Sequence, residues 1–301
     1  MGYAALFASS HGAKTARLVG RRVAIADKEP AKMIKKLHSL IVLRVSGILR
    51  AVSRSPSAAK SFPWLLAGAV RTRTIARRDG KKLEVSLGPQ KDQCVSVDLG
   101  SQPEIDVFGE VLIDRNYPLE RLGFVPALIA DCGANIGFFS SLARLRFPQT
   151  PIFAWEPDEK NFRRASEQPI LRSDSIKLHM AAVSDRNGFV DLTGSGHGCT
   201  VHRSDDAQVP CIDFAAWWRE HSVPGSLLKM DIEGHETSVL PALKGSWKAP
   251  CAVFLETHAA SGKDEDVLAV LESDGFCIDL LRQHSLPGDP RVFKEYFAIL
   301  S

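Results

Sequence analysis

The sequence predicts a doubly wound α/β fold built on a largely parallel sheet. Three observations carry this. From Phe124 onward, short apolar runs alternate with segments of helical periodicity, the pattern of repeated βα units. Four of the runs end on carboxylates: Asp131, Glu156, Asp231 and Glu256. The first run leads into a small-residue turn, Gly133-Ala134-Asn135-Ile136-Gly137, and then into a helix. Ligands in such sheets bind beyond the carboxyl ends of the strands. The four acids are therefore expected on one rim.

Taken in order, the chain first shows a charge division. Residues 1–82 hold 18 Lys/Arg against three Asp/Glu, net +15, and residues 83–301 hold 20 against 32, net −12. Residues 1–32 lack sustained periodicity and are expected to be mobile. Met33 to Arg54 reads as a helix. Ile34, Leu37, Ile41, Val45, Ile48 and Val52 share one face, and Lys32, Lys35, Lys36, Arg50 and Arg54 the other. Such a helix either packs on the main domain or lies on an anionic membrane surface. No apolar run approaches the roughly 20 residues of a spanning helix, so the expected location is cytoplasmic with peripheral membrane contact. Six cysteines without a Cys-x-x-Cys pair read as small buried hydrophobes in a reducing compartment.

Residues 83–120 read as an antiparallel β cap. Leu83–Leu87 and Cys94–Leu99 alternate, and Gly88-Pro89 marks the turn between them. The main domain follows over residues 121–301. Strands are expected at 125–131, 152–156, 176–183, 227–231, 251–256, 276–281 and 296–300, with a short strand at 189–192. Helices are expected at 136–146, 159–168, 211–221, 235–244 and 263–274. Residues 193–208 are polar and Gly-rich, a surface loop on the acceptor side.

The chemistry concentrates at the strand ends. Gly133 and Gly137 let backbone turn sharply and a ligand come close, and Asn135 tolerates left-handed backbone. The loop opens a helix amino end, which attracts negative charge, while Asp131 offers a carboxylate to a cation. That pairing suits a zwitterion such as the amino-acid end of S-adenosylmethionine. A pyrophosphate would be repelled by Asp131, which disfavours a dinucleotide. Glu156 stands 25 residues after Asp131, the spacing at which a βαβ unit sets a carboxylate against ribose hydroxyls.

The motifs Asp131-Cys-Gly-Ala-Asn-Ile-Gly137, Trp155-Glu-Pro157, Ala182-Val-Ser-Asp185, Cys211-Ile-Asp213 and Leu228-Lys-Met-Asp-Ile-Glu-Gly-His-Glu236 resemble those of the FkbM family of S-adenosylmethionine-dependent methyltransferases. The resemblance implies a class I methyltransferase fold, a seven-stranded sheet whose last strand is antiparallel. It also implies methyl transfer to a hydroxyl of a sugar, glycan or natural-product-like acceptor, with S-adenosylhomocysteine as the product. Carried onto this sequence, Asp131, Gly133, Asn135 and Gly137 would line the methionine part and Glu156 the ribose. Ala182 and Val183 would flank the adenine.

Asp231, Glu233 and His258 are the catalytic candidates, since a positioned base must take the hydroxyl proton. Asp231, Glu233 and Glu256 are the ligand type for a divalent metal, but no metal is predicted. Two competing classes are a nucleic-acid methyltransferase anchored by the basic N-terminus and a non-catalytic cofactor-binding protein. No Asn-Pro-Pro-Tyr or Asp-Pro-Pro-Tyr follows the 227–231 strand, which disfavours methylation of a base amine.

Overall fold

The computed structural model describes residues 82–301 apart from 89, 91, 99–100, 115, 194–199, 203–207, 259–263 and 286–291. The expected basic helix at 33–54 lies outside the described residues. Among them, no helix is long and apolar enough to cross a membrane.

An antiparallel hairpin of β1 (Lys82–Ser86) and β2 (Cys94–Asp98) comes first, followed by α1 (Gln102–Phe108) and a π turn (Gly109–Ile113). The expected β cap is thus half hairpin and half helix. The reason is visible in the spacing of Val107, Phe108, Val111 and Leu112. These residues pack into the core from one side, as a 3.6-residue period requires and a 2-residue period does not.

The main sheet has seven strands in the order β12-β13-β11-β10-β3-β4-β5. They are β3 (Leu128–Cys132), β4 (Ile152–Trp155), β5 (Ile176–His179), β10 (Ser226–Met230), β11 (Cys251–Thr257), β12 (Cys277–Ser285) and β13 (Val292–Leu300). β3, β4, β5, β10 and β11 pair in parallel, and the last strand, β13, runs antiparallel between β11 and β12. Strand order turns at β3, which has β4 on one side and β10 on the other. That is the switch point where ligands bind.

Alternation along the strands divides the core. Leu128, Ala130, Cys132, Leu228, Met230, Val253 and Leu255 face α4 (Phe214–His221), α5 (Glu236–Val239) and α6 (Asp264–Ser273). Ile129, Leu227, Ala252 and Phe254 face α2 (Phe138–Arg146) and the hairpin residues Val95 and Val97. With helices on both faces, the sheet is doubly wound. The hairpin is held by polar groups as well. Buried Gln168 accepts from the Ser96 N–H at 2.8 Å and donates to the Ser96 carbonyl at 3.1 Å, as a strand partner would. Arg164, on α3 (Glu159–Ser166), makes a two-pronged contact with Glu104 of α1 at 2.8 and 2.9 Å.

Several boundaries differ from expectation. β12 runs on to Ser285 and β13 begins at Val292, where strands were expected to end at 281 and begin at 296. The single strand expected at 176–183 is broken. β5 ends at His179, Met180 is exposed, and β6 (Ala182–Ser184) joins a second sheet of order β6-β9-β7-β8. Residues 211–213 are strand rather than helix. They finish β9 (Val209–Asp213), and Asp213 then caps α4 by accepting from the Ala216 N–H at 2.9 Å. Residues 193–208 contribute β8 (Thr200–His202), paired antiparallel with β7 (Gly188–Thr193). Cys94, Cys132, Cys211 and Cys251 are buried as expected, whereas Cys277 is exposed at the start of β12.

Candidate active site

The loop after β3 is built from backbone that few residues tolerate. Gly133, Asn135 and Gly137 have φ of +80°, +52° and +83°. A Cβ on Gly133 would stand 1.9 Å from the Asp231 carbonyl oxygen, and one on Gly137 2.6 Å from Leu171 Cδ1. The N–H groups of Gly133 and Ala134 both donate to the Trp155 carbonyl, at 3.0 and 2.8 Å, which ties the loop to the end of β4. Gly137 stands at the cap of α2, and no side chain caps that helix end.

Glu156 closes the loop from β4. It is buried, and its two carboxylate oxygens accept from the N–H groups of Asn135 at 2.7 Å and Asp158 at 3.0 Å. Burial pushes its carboxyl up to about 7, against the pull of the two N–H donors and Lys229. A carboxylate offers about four lone-pair positions, so both oxygens can accept again from ligand hydroxyls.

Asp131 sits differently from what its place near a strand end suggested. It is fully buried, and its Oδ2 accepts from Ser140 Oγ at 2.5 Å. The cation it meets belongs to the chain. Parallel pairing sets Lys229 of β10 beside Asp131, with Nζ 3.7 Å from Oδ1. Lys229 is buried too, and its Nζ donates to the Gly133 carbonyl at 2.6 Å and stands 3.2 Å from Asp231 Oδ2. Burial disfavours its ammonium, but Asp231 and Asp131 outweigh that and hold it charged. One lysine therefore links the β3 acid, the glycine loop and the β10 acid.

Beyond β10 and β11 lies a ring of carboxylates around one imidazole. His258, 6% exposed, has Nδ1 3.1 Å from Glu236 Oε1. Its Nε2 faces Glu233 Oε2 at 3.5 Å, Asp231 Oδ1 at 3.6 Å and Glu256 Oε1 at 3.8 Å. Glu236 also accepts from the Ile232 N–H at 2.8 Å. Glu233 holds φ +56°, an uncommon conformation for a non-glycine residue. Burial works against the His258 imidazolium. The hydrogen bond and charge of Glu236, with the charges of Asp231 and Glu233, override it and raise the group to about 10.

The structure thus gathers Asp231, Glu233, Glu256 and His258 into one cluster. Lys229 joins that cluster to Asp131, and Glu156 stands on the far side of the glycine loop. Ala182 and Val183 are buried in β6, separated from the end of β5 only by Met180 and Ala181. The Tyr117 ring packs edge-on against Phe139 and Phe254, with centroids at 4.8 and 5.6 Å. Two partners were not legible beforehand. Glu236 reaches His258 across 22 residues. Glu295 of β13 accepts from Asn116 at 3.2 Å and meets Arg282 at 3.3 Å.

A family model described as the methyltransferase FkbM domain matches residues 131–284, about half of the chain. The protein belongs to this family. The matched span begins at Asp131 and includes every strand-end residue named above. This FkbM-family chain is 24% identical over 213 residues to "Methyltransferase 1" of Beauveria bassiana (strain ARSEF 2860), covering 61% of this chain and 85% of that protein. It is also 24% identical over 211 residues to "31-O-demethyl-FK506 methyltransferase FkbM" of Streptomyces tacrolimicus, covering 57% and 81%. Among solved structures it is similar to magnesium protoporphyrin IX methyltransferase (ChlM) from Synechocystis PCC 6803 with bound SAM. That match has 12% identity and TM-score 0.39, covering 80% of this chain and 97% of that one. The expectation of an S-adenosylmethionine-dependent methyltransferase stands. For the acceptor, the family supports a small molecule in general terms.

Proposed function

We propose that this enzyme methylates a hydroxyl oxygen of a sugar or natural-product-like acceptor. The observation that carries this is the contact between the glycine loop and the carboxylate–imidazole cluster. Gly133 lies against the Asp231 backbone so closely that it has no room for a Cβ, so a ligand on the loop borders the acids that would receive a proton. The relative from Streptomyces tacrolimicus is named for a 31-O-demethyl substrate, which supports an oxygen acceptor.

The residues of the cradle fit the cofactor. Gly133, Asn135 and Gly137 let backbone approach its methionine part, and the amino end of α2 favours its carboxylate. Glu156 accepts from the ribose hydroxyls. Asp131 acts from within, holding Lys229 and through it the loop. Ala182 and Val183 are proposed to flank the adenine. When bound, S-adenosylmethionine supplies an electrophilic methyl group on its sulfonium. Asp231 and Glu233 take the acceptor's proton, worth about 10²–10⁴-fold in rate. His258 fixes both carboxylates by charge.

Glu156 gives this reading a pH signature. Its folded value of about 7 lies above the ordinary 4.5. Its stabilising contribution to the fold is therefore full below pH 4.5 and lost as pH rises through 7. Ribose hydroxyls favour the carboxylate, so affinity for S-adenosylhomocysteine is expected to rise from pH 6 to 8 and then level off. Calorimetry across that range tests it. Glu156→Gln should bind more than tenfold more weakly, since a hydrogen bond to a charged group is worth about 1.5–3 kcal/mol, and should lose the pH slope. Unchanged binding in this variant would remove Glu156 from the cofactor site.

We also propose that the basic N-terminal part, residues 33–54 above all, touches anionic membrane; its net charge supports this. The full chain should float with anionic vesicles at low salt and be released at 1 M salt, where the Debye length is about 3 Å. Equal flotation with neutral vesicles would contradict it.

A further inference from the structure

We propose that Asp231, Glu256 and His258 bind a divalent first-row metal ion at the carboxyl edge of the sheet. The metal's role in the reaction rests on the function proposed above, but its binding does not.

One ligand atom from each of these three residues lies within 4.8 Å of the others. His258 Nε2 is 3.6 Å from Asp231 Oδ1 and 3.8 Å from Glu256 Oε1. Two ligands bound to one cation at about 2.1 Å stand between roughly 3.0 Å apart when adjacent and 4.2 Å when opposite. Both distances from Nε2 already fall inside that range, and the two carboxylate oxygens are no more than 4.8 Å apart.

The independent observation is the orientation of His258. Its side chain is 2% exposed, and Nδ1 is anchored on Glu236, itself 1% exposed. A carboxylate on the far nitrogen is how a ligating histidine is held in one tautomer, and a metal ion on Nε2 takes the place of the proton that the surrounding acids otherwise favour there. The anchor leaves Nε2 aimed into the carboxylates, 3.5 Å from Glu233, 3.6 Å from Asp231 and 3.8 Å from Glu256. Asp231 is also divided in its duties. Oδ2 meets Lys229 at 3.2 Å, while Oδ1 turns to His258. The side chains of Asp231 and Glu256 are 25% and 18% exposed, so an ion can reach them from solvent. Mixed nitrogen and oxygen ligands suit Mn²⁺, Fe²⁺ or Zn²⁺ better than the all-oxygen preference of Ca²⁺.

Glu233 lies outside the three-residue set, so with Asp231 on the metal the proton-accepting role the two share falls to Glu233 alone. With the acceptor oxygen on the cation, its O–H bond weakens. The proton passes to the Glu233 carboxylate, and the oxygen forms its bond to the methyl carbon. The carbon–sulfur bond breaks with its electron pair kept by sulfur. The metal does not change oxidation state.

The test uses the full chain, stripped with chelator and titrated with MnCl₂, with the free Mn²⁺ signal followed by electron paramagnetic resonance. One equivalent is expected to bind. Affinity should fall at least tenfold in Asp231→Asn and in Glu256→Gln, and about 10–100-fold in Glu236→Gln, a residue that meets His258 at the far ring nitrogen. Glu156→Gln should bind Mn²⁺ normally while losing S-adenosylhomocysteine affinity. A chain that binds S-adenosylhomocysteine but no Mn²⁺ overturns the metal site and leaves the cofactor reading intact. Mn²⁺ binding that survives both Asp231→Asn and Glu256→Gln overturns the ligand assignment. Thermal melting of each variant distinguishes lost binding from lost fold, and Glu256→Gln carries the test if Asp231→Asn does not fold.

Discussion

Lys229→Met is expected to cost about 3–5 kcal/mol of stability, the penalty for stranding a buried charge. Methionine keeps the length and apolar stem of the side chain, so the loss reports the ammonium. Asp131 depends on that ammonium. It is 0% exposed, and its Oδ1 accepts no hydrogen bond, leaving the Lys229 charge at 3.7 Å as its compensation. Burial already pushes the Asp131 carboxyl up, with Lys229 the strongest opposing influence. The same substitution releases the Gly133 carbonyl from its 2.6 Å hydrogen bond. Cofactor affinity should therefore fall beyond what stability explains. Urea denaturation of Lys229→Met beside Asp131→Asn/Lys229→Met provides the check. The double variant has no lone charge at this point and should recover most of the stability, but not the affinity, because the loop is still untethered. A loss below 1 kcal/mol in the single variant would show that Asp131 is carried by Ser140 alone.

This pair also marks the limit of what the sequence displays. Near-continuous apolar runs announced the strands of the parallel sheet, and the acids at their ends announced the rim, because strand ends are where backbone leaves the sheet and charge meets water. The side-to-side register was not legible. Whether Lys229 stands beside Asp131 depends on which strands are neighbours, and a shift of one residue would turn it to the opposite face. Glu236 illustrates the same limit over a longer distance. Beside the nearby Ile232 N–H, its partner is His258 on the next strand's exit. The break after His179 was hidden because Ile176–Val183 is apolar enough for one strand. Pairing with β9 rather than β4 decides that Ala182–Ser184 belongs to the second sheet.

Among the described glycines, Gly133→Ala is expected to be the most damaging methyl addition. Two costs combine. A non-glycine residue at φ +80° pays about 1–2 kcal/mol for left-handed backbone. The new Cβ would also meet the Asp231 carbonyl oxygen at 1.9 Å, with the carbonyl carbon at 3.0 Å. That obstacle is backbone in the turn between β10 and α5, whose Asp231 N–H donates to the Cys132 carbonyl at 3.1 Å. It cannot rotate away as a side-chain tip can. Relief requires β3 and β10 to part at their carboxyl ends, which separates the loop from Asp231. A total loss on the order of 3 kcal/mol or more follows. Gly245→Ala isolates the first cost, since Gly245 has φ +69° and a Cβ there meets nothing within 4 Å. It should lose only about 1–2 kcal/mol and bind S-adenosylhomocysteine normally. Thermal unfolding and calorimetry on both variants separate strain from collision. If the two glycines prove equally costly, the loop and Asp231 are not locked together, and the joint between cofactor cradle and proton-accepting cluster is looser than the proposed reaction requires.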